Sequence, residues 1–114
     1  MTTAVLAWLV AFAATCAIEL VVIRMLAPSH LPRGRMLRVA LLAQLATHPF
    51  VWLAMATLPG SQLARLACVE LWATLVETAI YKRYLGLPGR EAFALSAAAN
   101  AASLLVASVV ALLL

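Results

Sequence analysis

The sequence predicts an all-α fold, a bundle of four transmembrane helices that forms a single integral membrane domain over residues 1–114. The hydrophobic share is 67%, against about 45–50% for a typical soluble domain. At a rise of 1.5 Å per residue, each apolar run is long enough to cross a hydrocarbon core of ~30 Å. These runs lie at about 3–26, 36–58, 63–84 and 91–113.

The first apolar run has no Lys or Arg before it, so it lacks the charged start of a secretory signal. We therefore expect it to remain as the first span. The connection that follows contains Pro28, Pro32 and Gly34. These residues stop one helix before the next begins.

The second span contains Pro49, directly after His48. The missing N–H and the ring of Pro49 predict a kink or a loosened turn around Leu45, with a free backbone carbonyl beside the imidazole. Transporters use broken helices of this kind at binding sites. An ordinary proline kink explains the pattern equally well.

The third and fourth spans follow turns that are rich in proline and glycine. Pro59 and Gly60 precede Ser61, which we expect to cap span three. Glu91 falls in the first turn of span four, where a carboxylate suits the positive end of a helix. The alanine runs of span four permit close contact between helices.

The distribution of basic residues predicts the orientation in the membrane. Seven of them flank the first and third connections: Arg24, Arg33, Arg35, Arg38, Lys82, Arg83 and Arg90. Only Arg65 lies near the second connection. The positive-inside rule then places both termini on the outer, periplasmic side of a bacterial inner membrane. Interfacial aromatic residues fit this, with Trp8 and Trp52 outside and Tyr81 and Tyr84 inside.

The net charge of +4 does not indicate nucleic-acid binding, because the basic residues cluster in short loops between spans. The expected partner is the lipid bilayer. Cys16 and Cys68 lie in separate apolar runs, without the close spacing of a zinc or redox pair. We expect both to be packing residues.

Four ionisable residues inside the spans form the candidate site: Glu19, His48, Glu70 and Glu77. A charge at the bilayer centre costs about 2.5–3.5 kcal/mol on insertion scales, so such residues face one another, a cavity or a ligand. Other polar residues share helix faces with them at steps of three or four. The predicted supporting network consists of Gln44, Tyr81, Asn100 and Ser103.

Counting residues from the inner boundary predicts two polar layers. Glu19, Gln44, Glu77 and Asn100 fall at about 10–14 Å, and His48, Ser103 and Glu70 fall at about 18–21 Å, at 1.5 Å per residue. Each layer draws on at least three helices.

Three functions fit these residues. The preferred one is a Glu/His site that binds or transfers a proton or cation, in support of transport. A metal-dependent intramembrane enzyme is an alternative, with a divalent metal ion held by His48, Glu70 and Glu77. A non-catalytic subunit of a larger complex is the third. Homo-oligomerisation is a further option, because four helices alone scarcely enclose a cavity.

The last three spans contain the element Thr47-His48-Pro49-Phe50-Val51-Trp52, then Glu70 and Glu77 with Tyr81, then Asn100 and Ser103. This pattern resembles a group of small bacterial four-span membrane proteins of uncharacterised function with a Thr-His-Pro-x-x-Trp element and paired glutamates. The resemblance implies a shared site around His48, Glu70 and Glu77.

In its length, four spans and Glu19, the chain is distantly similar to the small multidrug resistance transporters, which act as dimers and exchange protons for cationic substrates. Glu19 corresponds to their functional glutamate. The chain lacks their Gly-rich third span and has Glu70 and Glu77 there instead.

Overall fold

The computed structural model describes the backbone of residues 2–113 and the side chains of residues 2–109, 112 and 113. Over this part of the chain the fold is all-helical, with four helices and no strand. The helices are α1 (Thr3–Leu26), α2 (Arg33–Thr57), α3 (Gln62–Leu85) and α4 (Gly89–Leu113). The predicted fold class is confirmed.

The four helices form a closed ring. Each helix packs against its neighbours in the chain, and α4 packs against α1. Short connections make successive helices antiparallel, along the long axis of a body measuring 40 × 27 × 26 Å. The termini and the second connection therefore share one end, which we call the terminal end. The other end has seven of the eight basic residues, and we call it the basic end.

Three of the described helices are long and apolar enough to cross a membrane, namely α1, α2 and the Gly89–Val109 part of α4. Their length and composition are those of membrane-spanning helices. The exception is α3, which contains Arg65, Glu70 and Glu77 together with two basic residues in its last turn. At 24 residues α3 equals α1 in length and packs between α2 and α4, so it lies within the same bundle.

The helix ends follow local sequence signals. The Ser61 hydroxyl accepts a hydrogen bond from the Ala64 amide at 3.1 Å and caps α3, as predicted. Gly86 ends α3 with a φ of 66°, a left-handed conformation that glycine adopts without steric cost. Glu91 lies in the first turn of α4, as predicted. In contrast, no side chain caps α2 at Pro32.

The proline in α2 does not break the helix. The α-helix continues from Arg33 to Thr57 through Pro49, whose side chain is exposed. The Thr47 hydroxyl lies 3.0 Å from the Ala43 carbonyl, one turn earlier, within hydrogen-bonding distance. A broken helix beside His48, one of the two interpretations of Pro49, is therefore not observed.

The apolar core lies at the basic end. We call it the apolar plug, and its buried members are Ile23, Met36, Val39, Ala40, Ala43, Tyr81, Leu85, Leu87, Ala92, Leu95 and Ala99. Tyr84 is 48% exposed, whereas Tyr81 is 0% exposed. Tyr81 therefore lies on the inward face of α3 and not on the outer surface of the bundle. Cys16 is buried and Cys68 is exposed, and both thiols are free.

Candidate functional site

A cluster of buried polar side chains lies directly above the apolar plug. Its two carboxylates come from different helices, Glu19 from α1 and Glu77 from α3, and they are 0% and 1% exposed. The remaining members are also buried: Gln44 and Thr47 from α2, Thr74 from α3, and Ser96 and Asn100 from α4. In lipid such groups turn inward, because no water satisfies them outside.

Gln44 connects the two carboxylates. Its amide nitrogen donates to Glu19 Oε2 and, at 3.4 Å, to Glu77 Oε1. A side-chain amide has two N–H donors, so one nitrogen serves both carboxylates. The two acidic groups are thus held beside each other in the centre of the bundle.

The other donors to this pair are also neutral. Glu77 accepts from Asn100 Nδ2 at 3.3 Å and from Thr47 Oγ1 at 3.2 Å. Glu19 Oε1 accepts from Ser103 Oγ at 3.1 Å. All four carboxylate oxygens therefore have a hydrogen-bond donor.

Each carboxylate contacts a hydroxyl that has a second acceptor. Thr47 Oγ1 lies 3.2 Å from Glu77 Oε2 and 3.0 Å from the Ala43 carbonyl. Ser103 Oγ lies 3.1 Å from Glu19 Oε1 and 3.0 Å from the Asn100 carbonyl. A hydroxyl has one hydrogen to donate and lone pairs to accept. It can donate to a charged carboxylate, or accept from the protonated acid and donate to the carbonyl instead.

His48 lies beside this cluster within a group of aromatic rings. Its ring centroid is 5.1 Å from that of Phe12, 6.1 Å from Trp8 and 6.5 Å from Trp52. The imidazole is 8% exposed, and its buried Nδ1 has no hydrogen-bond partner among the described residues.

A cavity of about 240 Å³ reaches Glu77, which is linked to Glu19 through Gln44. Gln44, Glu77 and Asn100 line its deep part, next to the apolar plug. From there it extends toward the terminal end, along a wall that includes Ala11, Thr15, Trp52, Leu66 and Ala107. His48 and the half-buried Glu70 line its side. The carboxylates therefore lie between a cavity on one side and packed apolar residues on the other.

The predicted polar layers are partly realised in these contacts. Glu19, Gln44, Glu77 and Asn100 were placed at one depth, and they form one hydrogen-bonded cluster. Ser103 was placed in the second layer with His48 and Glu70, but it bonds to Glu19.

Tyr81 is not part of the polar network that was predicted to contain it. Its buried hydroxyl has no hydrogen-bond partner among the described residues, and its ring belongs to the apolar plug.

Thr47 belongs to the Thr-His-Pro-x-x-Trp element but is missing from the predicted polar network, although it contacts Glu77. It lies three residues after Gln44 and one before His48, so helical spacing places it on the same face as Gln44. That spacing is a signal that identifies it as a member of the cluster.

The proposed metal ligands do not assemble into a metal site. His48, Glu70 and Glu77 line one cavity. Among the described residues, however, no group of three or more His, Cys, Asp or Glu side chains is positioned to hold a metal ion. The geometry gives the divalent-metal alternative no support.

Comparisons with protein-family models, curated proteins and solved structures found no match to this chain. The function is therefore inferred from the geometry of the site.

Proposed function

We propose that this chain is a small multi-pass membrane protein that binds and releases a proton at Glu19 and Glu77, in support of transport across the bacterial inner membrane. The observation that carries the proposal is the pair of hydroxyls with alternative acceptors. Thr47 and Ser103 can each satisfy a charged or a neutral carboxyl group. Loading a proton then leaves no buried polar group without a partner, which would otherwise cost about 1–3 kcal/mol.

The same contacts favour a proton over a metal cation as the bound species. All four carboxylate oxygens already accept a hydrogen bond from a neutral donor. A metal cation needs several of those oxygens as ligands, and the donor nitrogens of Gln44 and Asn100 would oppose it. A proton needs only one carboxylate oxygen, together with one neighbouring hydroxyl that changes from hydrogen-bond donor to acceptor.

The cavity supplies the route by which the proton arrives. Water occupies about 30 Å³ per molecule in the liquid, so a cavity of about 240 Å³ has room for a short chain of waters. Its polar lining includes Glu70 and His48, which suit proton relay within a membrane. The proton reaches Glu77 from the terminal end.

The apolar plug closes the opposite route. Release toward the basic end therefore requires the helices to rearrange around the carboxylates, as in alternating access. By the positive-inside rule the terminal end faces the periplasm and the basic end faces the cytoplasm. A reporter fused after Leu114 tests this orientation. We expect activity from a reporter that works only in the periplasm, and none from a reporter that works only in the cytoplasm.

Proton flux in liposomes tests the proposed function. The full chain is reconstituted into vesicles that contain a pH-sensitive dye, and a pH gradient is imposed. The dye reports how fast the gradient decays, with candidate substrates inside or outside the vesicles. We expect wild type to dissipate the gradient and Glu77→Gln to behave as protein-free vesicles. Glu91→Gln is the matched control, because Glu91 is exposed in the first turn of α4. Equal flux through wild type and Glu77→Gln would overturn the proposal.

A further inference from the structure

The basic end has a large excess of positive charge. Seven of the eight Lys and Arg residues lie there, and Glu91 is the only acidic residue at that end. The other three of the four acidic residues are Glu19, Glu70 and Glu77, in the bundle interior. Two of the basic groups have contacts within the protein: Arg35 donates to the Tyr84 carbonyl, and the Arg83 guanidinium lies 5.9 Å from the Tyr84 ring.

A separate cavity of about 280 Å³ lies at this end, between the last turn of α1 and the first turn of α2. Arg24 from α1 and Arg33 from α2 both line it, together with Ser29 from the connection. The rest of its wall is apolar and includes Met25, Leu31 and Met36. The cavity thus combines two guanidinium groups and a hydroxyl with an apolar wall.

The α2 N-terminus adds to the positive potential of this cavity. No side chain caps it, and its first turn has no acidic residue. The first amides of a helix point outward and carry the positive end of the helix dipole. Arg33, the first residue of α2, thus brings its side chain to a helix end that already favours anions.

The ligand class follows from where this cavity lies. Both α1 and α2 are long and apolar enough to span the membrane, so the connection between them lies at the level of the lipid headgroups. Guanidinium groups bind phosphate through paired N–H donors. We propose that the Arg24/Arg33 cavity binds the phosphate of an anionic phospholipid, whose glycerol and upper acyl chain contact the apolar wall.

Native mass spectrometry of the full chain in detergent tests this site. Wild type is titrated with phosphatidylglycerol, with phosphatidylcholine and with inorganic phosphate as a competitor. The test variant is Arg24→Gln with Arg33→Gln. The control is Arg83→Gln with Arg90→Gln, which removes the same charge from the same end but from residues outside the cavity. All four side chains are exposed, so both variants are expected to fold.

We expect phosphatidylglycerol to bind wild type and the control alike, and to bind the test variant roughly 10–30-fold more weakly, since each Arg near a membrane surface contributes about 1 kcal/mol. Equal weakening in both variants would overturn the proposal, because the charge would then act without a defined site. Full displacement of the lipid by millimolar phosphate would also overturn it, and would assign the site to a free anion. Binding of phosphatidylcholine as tight as that of phosphatidylglycerol would show that anionic charge is not recognised.

Discussion

The chemistry of the site depends on individual hydroxyl and amide groups. Thr47 and Ser103 each lie between a carboxylate and a backbone carbonyl, with all four distances between 3.0 and 3.2 Å. Gln44 donates to both carboxylates. These neutral groups stabilise two acidic residues in the centre of the bundle. Without such partners, the free energy of inserting an acidic residue into a membrane is higher than that of inserting an uncharged one.

The role of the Thr47 hydroxyl is tested by Thr47→Val, which removes the hydroxyl and keeps the shape of the side chain. We expect proton flux to fall roughly ten-fold, since a hydrogen bond to a charged group contributes about 1.5–3 kcal/mol. The variant Thr47→Ser retains the hydroxyl and its hydrogen bond, so its proton flux should stay within about two-fold of that of wild type. Thr57→Val is the control, because the Thr57 hydroxyl donates to the Leu53 carbonyl at 2.8 Å, one turn earlier in α2 and away from the cluster. Similar losses for both valine variants would contradict the assigned role.

Gln44→Leu tests the donor that the two carboxylates share. Without the amide, Glu19 and Glu77 lose their common partner, and we expect the free energy of unfolding to fall by about 2–4 kcal/mol near neutral pH. This loss of stability should be smaller at acidic pH, because the protonated carboxyl groups of Glu19 and Glu77 no longer repel each other. Denaturation in detergent at two pH values measures it. Gln62→Leu, at the exposed start of α3, is the control and should change stability little. A loss that does not depend on pH would contradict this account.

Among the elements, α3 is the one that its neighbours must stabilise. It supplies Glu70 and Glu77 to the site, and it is absent from the helices that are apolar enough to span alone. Its interior face packs between α2 and α4. The Glu77 carboxylate on this face accepts hydrogen bonds from Gln44, Thr47 and Asn100, and these bonds help to hold α3 in the bundle.

Insertion of single helices into a membrane measures this dependence. Each helix is placed in a host protein in which glycosylation reports translocation. We expect α1 and α4 to insert alone and α3 to insert poorly, because each acidic residue near the centre costs about 2.5–3.5 kcal/mol. The variant Glu70→Ala with Glu77→Ala should restore insertion of α3. Efficient insertion of unmodified α3 would show that it needs no support from α2 and α4.

At the scale of the whole molecule, the bundle is asymmetric along its long axis. The cavity reaches Glu77 from the terminal end, and the apolar plug fills the basic end. Four helices of one chain line this cavity, although the sequence analysis expected four helices scarcely to enclose one. A second copy of the chain is therefore not needed to form it.

Labelling of buried cysteines tests the asymmetry. In a chain with Cys16→Ala and Cys68→Ala, we expect Ala73→Cys to react with a small charged thiol reagent, because Ala73 lines the cavity. Ala43→Cys should not react, because Ala43 lies in the plug. The two alanines are similarly buried, at 3% and 0% exposed, so they differ mainly in access to water. Equal labelling of both, or of neither, would contradict a one-sided cavity.

Helix geometry explains how much of this structure could be predicted. The four helices, the Ser61 cap and the cluster of Glu19, Gln44, Glu77 and Asn100 follow from apolar run length, residue type and a fixed rise per residue. Other features depend on how the helices rotate against each other and on side-chain rotamers, which spacing does not determine. The contact of Ser103 with Glu19 and the aromatic surroundings of His48 belong to this second group. Tyr81 is a further example. Its distance from the end of the helix predicts a position near the membrane interface, but only the structure shows that its side chain is buried inside the bundle.

The most direct measurement is infrared difference spectroscopy of the reconstituted full chain as pH is stepped across the neutral range. The central claim is that the pair Glu19 and Glu77 exchanges a proton with water in the cavity through Glu77, which lines it. It predicts a buried carboxylic-acid band that appears and disappears with pH, shifts in D₂O, is lost in Glu77→Gln and persists in Glu91→Gln. A spectrum without a titrating band, or with one that Glu77→Gln leaves unchanged, would contradict the claim.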